Sequence, residues 1–181
     1  MIKAGIIGCG SIAGFLDTPQ DEHTLTHAHA FKKHPKFQLR AIADVDASQR
    51  AKFKNAWGHN IYDYESLELM LEHEKLDLLS ITSPTQYHFA HLKCALNDPH
   101  IKTIIAEKPF VQTQNELREL KLLLKKSQKN IIVNFIRRYD PSINKVKQMI
   151  DSQELGELLN FQGVFNKGLY HNGSHMLELI E

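Results

Sequence analysis

The chain has 181 residues, enough for one complete domain or for one domain and part of another. Its apolar content of 42% and charged content of 24% are ordinary for a globular protein, and its net charge of +1 gives no reason to expect nucleic-acid or anionic-membrane binding. It has only two cysteines, no recognisable signal peptide and no long apolar segment, so the sequence predicts a cytoplasmic location.

An apolar run at the amino terminus, Ile2–Ile7, predicts the first β-strand. It continues directly into Gly8-Cys9-Gly10-Ser11-Ile12-Ala13, which fits the G-x-G-x-x-(G/A) pattern of dinucleotide-binding loops. We expect Gly8 to allow a tight turn, Gly10 to let the backbone approach a pyrophosphate, and Ala13 to let the next helix pack on the sheet. The start of that helix would offer free N–H groups and a positive dipole end to the phosphates.

Beyond this loop, apolar runs alternate with segments of helical periodicity. The further predicted strands are Phe37–Ala43, Asn60–Tyr62, Leu76–Thr82, Thr103–Glu107 and Ile131–Phe135. The predicted helices are His27–Lys33, Ala47–Trp57, Tyr64–Glu74, Thr85–Leu96 and Gln114–Ser127. This alternation is typical of βαβ units, so the sequence predicts an α/β fold with a doubly wound parallel sheet.

A second unit is predicted to begin at Asp140-Pro141. Residues 1–139 would then form the dinucleotide-binding domain, and residues 140–181 the beginning of an incomplete carboxyl-terminal α/β domain. Ser142–Ser152 has helical spacing, and Leu158–Phe165 has the composition of a strand. The residues after Gly168 are predicted to enter another helix.

Asp44 ends the second predicted strand, where a carboxylate can accept hydrogen bonds from the ribose hydroxyls of an adenosine. It would repel a 2′-phosphate, so NAD is favoured over NADP. The distance from Gly8 exceeds the usual spacing of about 20 residues, because a polar segment, Asp17–Thr26, is inserted as a loop. The alternative is that Asp44 only caps the following helix.

Two further segments follow strands at the edge where a doubly wound sheet binds its ligands. Thr82-Ser83-Pro84, with His88 shortly after, is placed to line the nicotinamide side, although His88 is equally compatible with a surface or helix-packing role. In Glu107-Lys108-Pro109, the proline locks a lysine whose partial burial would favour proton transfer. Alone, this tripeptide could be an ordinary strand-to-helix turn.

These motifs, in this order, resemble the Gfo/Idh/MocA family of NAD(P)-dependent oxidoreductases. Besides the segments above, the resemblance includes residues 134–139 (Asn-Phe-Ile-Arg-Arg-Tyr), 155–157 (Leu-Gly-Glu) and 173–175 (Gly-Ser-His). It implies a Rossmann domain followed by an α/β domain with a large open sheet. It also implies hydride transfer between a nicotinamide and a carbon of a sugar, nucleotide sugar, cyclitol or related polyol.

The resemblance also implies a catalytic pair, Lys108 and His175. We expect His175 to act as the base and Lys108 as the electrostatic partner, although the roles could be exchanged. Many members have an aspartate where this chain has His171, which could substitute as a proton relay or substrate contact. Arg137 and Arg138 are candidates to reach an anionic group of the cofactor or substrate, with a solvated surface charge as the alternative for one of the two. The run from residue 167 to 175 is most similar to dehydrogenases of polysaccharide and nucleotide-sugar pathways, which favours a nucleotide-linked sugar.

The sequence contains 11 histidines, a residue type that often ligates metal ions. One candidate set combines His171 and His175 with Glu178, and the other combines His23, His27 and His29. Neither matches a standard zinc signature, so no metal site is predicted. For His27 we expect a place near the mouth of the cofactor or substrate site.

Members of the resembling family are considerably longer than this chain, so we expect it to be truncated in its second domain. An uncovered apolar surface and a free strand edge there would promote association, which predicts a homo-oligomer. Two functions remain open from the sequence. The chain is a fragment of an oxidoreductase whose full form is active, or it is a truncated, non-catalytic NAD-binding or regulatory protein of the same fold.

Overall fold

The computed structural model describes residues 1–180, apart from the side chain of His171. The chain divides into two compact units, Met1–Val133 and Asn134–Glu181. Within the described residues, no helix is long and apolar enough to cross a bilayer.

The first unit is built on a six-stranded sheet with the order β3-β2-β1-β4-β5-β6, in which every pairing is parallel. The strands are β1 (Ile2–Ile7), β2 (Phe37–Ala43), β3 (Tyr62–Tyr64), β4 (Leu78–Ile81), β5 (Thr103–Ala106) and β6 (Asn130–Val133). The chain reverses its direction of progress across the sheet between β1 and β4. This is the topological switch point at which doubly wound sheets bind their ligands. The predicted doubly wound parallel sheet is therefore confirmed.

Helices connect the strands. They are α1 (Ser11–Gly14), α2 (His27–Lys33), α3 (Ala47–Trp57), α4 (Leu67–His73), α5 (His88–Asn97, after a 3₁₀ turn at Thr85–Tyr87) and α6 (Gln114–Lys126). Four of them, α2, α3, α4 and α6, start after a side chain that accepts hydrogen bonds from free N–H groups at the helix end. Asp46 caps α3, and Thr113 with Glu116 forms a capping box on α6.

The apolar core lies on both faces of this sheet, because neighbouring residues of a strand point in opposite directions. Ile6 belongs to one buried cluster with Phe53 and Trp57, and Ile7 belongs to another with Leu79 and other side chains. Burial on both faces explains why β4 is apolar at nearly every position rather than at alternate ones.

The second unit contains a 3₁₀ turn at Ile136–Tyr139, α7 (Pro141–Asp151), a π-helical turn at Leu169–Gly173 and α8 (Ser174–Ile180). The strand predicted at Leu158–Phe165 is wrong, since the structure has no strand between residues 134 and 180. A strand forms only where a neighbour takes up its backbone hydrogen bonds, and the described part of this unit offers no such neighbour. That residues 140–181 begin a second α/β domain stays a prediction.

Candidate functional site

The glycine turn links β1 to α1 and has the conformation that the motif predicts. Gly8 has φ +94°, and the amide N–H of Gly8 donates to the carbonyl of Ala43 at 2.8 Å. A Cβ added at Gly8 would lie 2.5 Å from both the N and the Cα of Ser83. The fold itself therefore requires glycine at this position.

Gly10 has a different environment, although it is only two residues away. It is exposed and has φ −88°, which any residue adopts. A Cβ added here would meet no atom of the described residues within 4 Å. Packing within the described chain therefore does not require glycine at this position, which fits a backbone that a ligand approaches closely.

The helix after the turn is shorter than expected. α1 has only four residues, so the positive dipole end that the motif predicts is weak. Where the helix ends, the carbonyl of Gly14 accepts from the Trp57 indole at 2.8 Å, which gives this terminal carbonyl a partner. Ala13 is fully buried against the sheet as predicted, Ser11 is exposed, and Ile12 is partly buried.

Cys9 lies inside the glycine turn and has no exposed surface. Burial, followed by the charge of Asp44, raises the pKa of its thiol. A thiol whose ionisation is disfavoured is a poor nucleophile, so Cys9 is a packing residue.

The inserted loop from Asp17 to Thr26 has no helix or strand, as predicted. Its anchor is the buried carboxylate of Asp17, which accepts from the Leu25 amide at 2.6 Å, from the Thr26 hydroxyl at 2.5 Å and from His29 Nδ1 at 2.8 Å. Burial raises the pKa of Asp17, but these hydrogen bonds outweigh it and hold the pKa below its ordinary range.

Asp44 lies at the end of β2 and is directed at the glycine turn. One carboxylate oxygen accepts from the Cys9 amide at 2.7 Å, and the other accepts from the Asp46 amide at 2.9 Å. The alternative that Asp44 caps the next helix is wrong, because Asp46 accepts from Ser48 and Gln49 at that helix end. Each carboxylate oxygen keeps a further lone pair, so the ribose contact stays a prediction that the geometry permits.

The segment after β4 braces the glycine turn. The Thr82 hydroxyl lies 3.0 Å from the carbonyl oxygen of Ile7 and 2.7 Å from that of Gly8. Thr82 thus supports the glycine turn through its hydroxyl, while Pro84 is exposed at the start of the 3₁₀ turn. A direct contact of either residue with the cofactor stays a prediction.

His88 is neither a surface residue nor a simple packing residue. It is only 1% exposed, and its ring lies between two loops. Nε2 is 2.8 Å from the carbonyl oxygen of Ser83, and Nδ1 is 2.9 Å from the carbonyl oxygen of Pro109. His88 therefore joins the loop after β4 to the loop after β5, and its predicted contact with the cofactor stays a prediction.

Glu107-Lys108-Pro109 begins immediately after β5, and the Lys108-Pro109 peptide bond is cis. His27 Nε2 lies 3.0 Å from Glu107 Oε1, and His27 Nδ1 lies 2.7 Å from Ser80 Oγ. The sequence interpretation missed Ser80 and the pairing of His27 with Glu107. A signal was present, because Ser80 is the one polar residue in the apolar strand β4.

Serine, histidine and glutamate in line also occur in hydrolase triads. Here Ser80 is fully buried within β4, whereas a nucleophile has to reach its substrate. A hydroxyl buried in this way does not reach a substrate, so the array is not an acyl-transfer triad.

The three histidines of the second predicted set do not form a cluster. His23 is exposed, His27 contacts Ser80 and Glu107, and His29 pairs with Asp17. Among the residues that the structure describes, no three metal-ligating side chains lie at the spacing of a metal site. The other proposed set includes His171, whose side chain lies outside the described residues.

In the second unit, His175 is buried in α8, and its ring packs edge to face on Phe135 with centroids 5.7 Å apart. Arg138 forms an ion pair with Glu178, whereas the neighbouring Arg137 is exposed. The predicted catalytic role of His171 falls on a side chain outside the described part of the chain. The roles of His175 and Arg137 stay predictions.

Comparison with known proteins identifies the family. A family model described as "Oxidoreductase family, NAD-binding Rossmann fold" matches residues 2–135. Inositol 2-dehydrogenase of Corynebacterium glutamicum (strain R) is 28% identical over 166 residues, which are 90% of this chain and 45% of that protein. The structure of myo-inositol 2-dehydrogenase from Lactobacillus plantarum is 26% identical, with a TM-score of 0.72 over 87% of this chain and 43% of that one.

A third relative supports the fold alone. The scyllo-inositol dehydrogenase from Lactobacillus casei, solved with bound NAD(H) and scyllo-inositol, has a TM-score of 0.79 at 20% identity and covers 99% of this chain and 55% of its own. The chain spans about half the length of the curated relatives that it matches. The family model covers well over half of the chain, so the chain belongs to the Gfo/Idh/MocA oxidoreductases with an NAD-binding Rossmann fold. This confirms the predicted family and the predicted cofactor.

Proposed function

We propose that this chain is the NAD-binding part of a dehydrogenase that transfers a hydride between the nicotinamide and a CH–OH carbon of a cyclitol, sugar or nucleotide sugar. The observation that carries the proposal is the contrast within the glycine turn. Gly8 is required by its positive φ and by the Ser83 backbone, whereas nothing packed around Gly10 in the described structure requires a glycine. A loop shaped by the fold at one glycine and open at the other fits a pyrophosphate.

Asp44 supports NAD rather than NADP. Its carboxylate is fixed at the end of β2 by the Cys9 and Asp46 amides, which leaves acceptor capacity for ribose hydroxyls. A 2′-phosphate at this place would meet a negative charge. When bound, the nicotinamide supplies the hydride acceptor.

The chain's own residues would accept the substrate hydroxyl proton and stabilise the developing alkoxide. Removing a hydride from a secondary alcohol requires a base for the hydroxyl proton and a positive group that favours the developing alkoxide. The proposal assigns the base to His175 and the positive group to Lys108, with the roles interchangeable. His171 is proposed as a relay or substrate contact, and Arg137 as a contact for an anionic group.

The substrate class rests on relatives. The curated relatives include inositol 2-dehydrogenases, which favours a cyclitol or sugar, and a nucleotide sugar belongs to the same chemical class of secondary alcohols. Assembly into a homo-oligomer and a cytoplasmic location are parts of the proposal. The family match favours this oxidoreductase over a non-catalytic NAD-binding protein.

Calorimetry on a matched pair of variants tests cofactor binding. Gly10→Ala should fold like the wild type, because an added Cβ meets no described atom, but should lose at least about tenfold in NAD affinity, equivalent to about 1.4 kcal/mol. Gly8→Ala should destabilise the fold as well. Absence of NAD binding to the wild type at millimolar concentration would refute the proposal.

Turnover tests the chemistry, in the full-length protein, with myo-inositol and a UDP-sugar as alternative substrates. Lys108→Met should reduce turnover by about 100-fold or more while leaving NAD binding intact, because it removes the positive group but keeps the aliphatic stem. Lys125→Met on the exposed face of α6 is the matched control. Unchanged turnover in Lys108→Met would remove Lys108 from the mechanism.

A further inference from the structure

Two buried histidines hold the residues on either side of Lys108. His27 contacts the side chain of Glu107, and His88 contacts the carbonyl of Pro109. His27 is 7% exposed and His88 only 1% exposed. Lys108 thus lies between two residues that are each tied to an imidazole ring.

The hydrogen positions on His27 follow from its partners. An ionised carboxylate only accepts, so Nε2 carries the hydrogen toward Glu107. The hydroxyl of Ser80 can donate to Nδ1, which completes a chain of hydrogen bonds from Ser80 in β4 through His27 to Glu107. Ser80 lies in the middle of a fully buried strand, so this end of the chain of hydrogen bonds is rigid.

The ring of His88 makes an equivalent connection on the other side. Each of its nitrogens faces a carbonyl oxygen, which only accepts, so a ring nitrogen that carries a hydrogen donates to the carbonyl that it faces. One of these carbonyls belongs to Ser83, whose backbone packs against Gly8. The Lys108 turn is therefore connected through His88 and Ser83 to the glycine turn.

We propose that His27 and His88 are positioning residues that together fix the Lys108 turn against β4 and the cofactor loop. The inference rests on the proposed function of Lys108, and neither histidine needs to touch the substrate or the cofactor. Both anchors lead back to β4 or the loop after it, so the two contacts restrain the residues before and after Lys108 in the same short turn. An error of about 1 Å in the position of a catalytic group can cost about 100-fold in rate, which is why two buried anchors matter.

The test reports on Lys108 directly, by NMR of isotope-labelled dimethyl-lysine in the 181-residue chain, with the Lys108 signal identified by its loss in Lys108→Arg. His27→Ala and His88→Ala should each move that signal. His27→Gln, which keeps a donor toward Glu107, and His88→Asn, which keeps one toward Pro109, should return it part of the way. These milder variants also keep the test informative if an alanine variant fails to fold.

The matched control is His29→Gln, since His29 is also a buried histidine of α2 but pairs with Asp17 instead of Glu107. It should lower stability without moving the Lys108 signal. In the full-length enzyme, His27→Ala and His88→Ala should reduce kcat by about 10- to 100-fold with KM nearly unchanged, as expected for misplacement of a catalytic group.

The outcomes separate this inference from the proposed function. An unmoved Lys108 signal in folded variants of both histidines overturns the positioning role, even if Lys108→Met is inactive. A moved signal together with full activity of Lys108→Met supports the positioning role and overturns the proposed function of Lys108.

Discussion

Two helices with similar patterns, α6 in the first unit and α7 in the second, have different surroundings. Both are amphipathic, and both start at a side-chain cap, Thr113 for α6 and Asp140 for α7. Leu120 of α6 is fully buried in the core cluster of the sheet. In α7, all of whose residues are described, none is buried.

The difference teaches that an apolar stripe allows a helix to pack but does not ensure that a surface is present for it to pack against. The sheet gives α6 a surface to cover, since β4 and β5 supply buried neighbours such as Leu79 and Ile104 in the same cluster. Within the described second unit no strand is present, and side chains such as Val164 are 85% exposed. Most helical stability in proteins comes from such packing, so we expect the two units to differ in stability.

The largest effect should come from paired truncations, Leu79→Ala in the first unit and Val164→Ala in the second. Leu79 has no exposed surface, so its truncation should lower the free energy of unfolding by about 2–5 kcal/mol. Val164 is 85% exposed, so its truncation should change the free energy of unfolding by less than about 0.5 kcal/mol. Urea denaturation followed by circular dichroism measures both. Equal losses would contradict the contrast between the units.

An intermediate effect on stability is expected in the inserted loop, which extends the comparison from helices to a segment without regular structure. The inserted loop lacks regular structure, yet it is anchored by Asp17, whose pKa in the folded state is lowered. A lowered carboxyl pKa stabilises the fold above the ordinary aspartate pKa, and this stability is lost as pH falls through the folded-state value.

Asp17→Asn should therefore cost about 1–3 kcal/mol at neutral pH, because buried donors lose their charged acceptor. The difference from the wild type should shrink on acidification below about pH 4. Thermal melts over a pH series measure this, with Asp21→Asn in the exposed part of the loop as the control. A difference that grows on acidification would be evidence against the anchor.

The smallest effect should come from the two helix caps. Thr113→Ala and Asp140→Ala should each weaken their helix by about 1 kcal/mol. In α6 the packed core should spread this loss over the whole unit as a lower melting temperature. In α7 it should appear as locally faster amide hydrogen exchange, which mass spectrometry resolves by peptide. A purely local effect in α6 would show that its packing is not cooperative.

Most of the first unit could be predicted because its signals are local. Two strands and two helices have the predicted bounds: β1 (Ile2–Ile7), β2 (Phe37–Ala43), α2 (His27–Lys33) and α3 (Ala47–Trp57). The strand predicted at Leu158–Phe165 failed because a strand depends on a partner that its own residues do not specify. The short α1 also escaped prediction, and the partner of its last carbonyl is an indole more than forty residues away in the chain.

Local residue types were thus sufficient for the class of this protein: the glycine turn, Asp44 after β2 and the Lys108 turn after β5 indicate an NAD-binding Rossmann oxidoreductase. Only the folded chain assigned the supporting contacts. His27 meets Glu107 from 80 residues away, and Ser80 from 53 residues away, because adjacent parallel strands bring distant segments to one edge of the sheet. Residue type and spacing in the sequence identify the candidate chemical groups. The partner of a buried polar group, however, depends on which elements pack together in the folded chain.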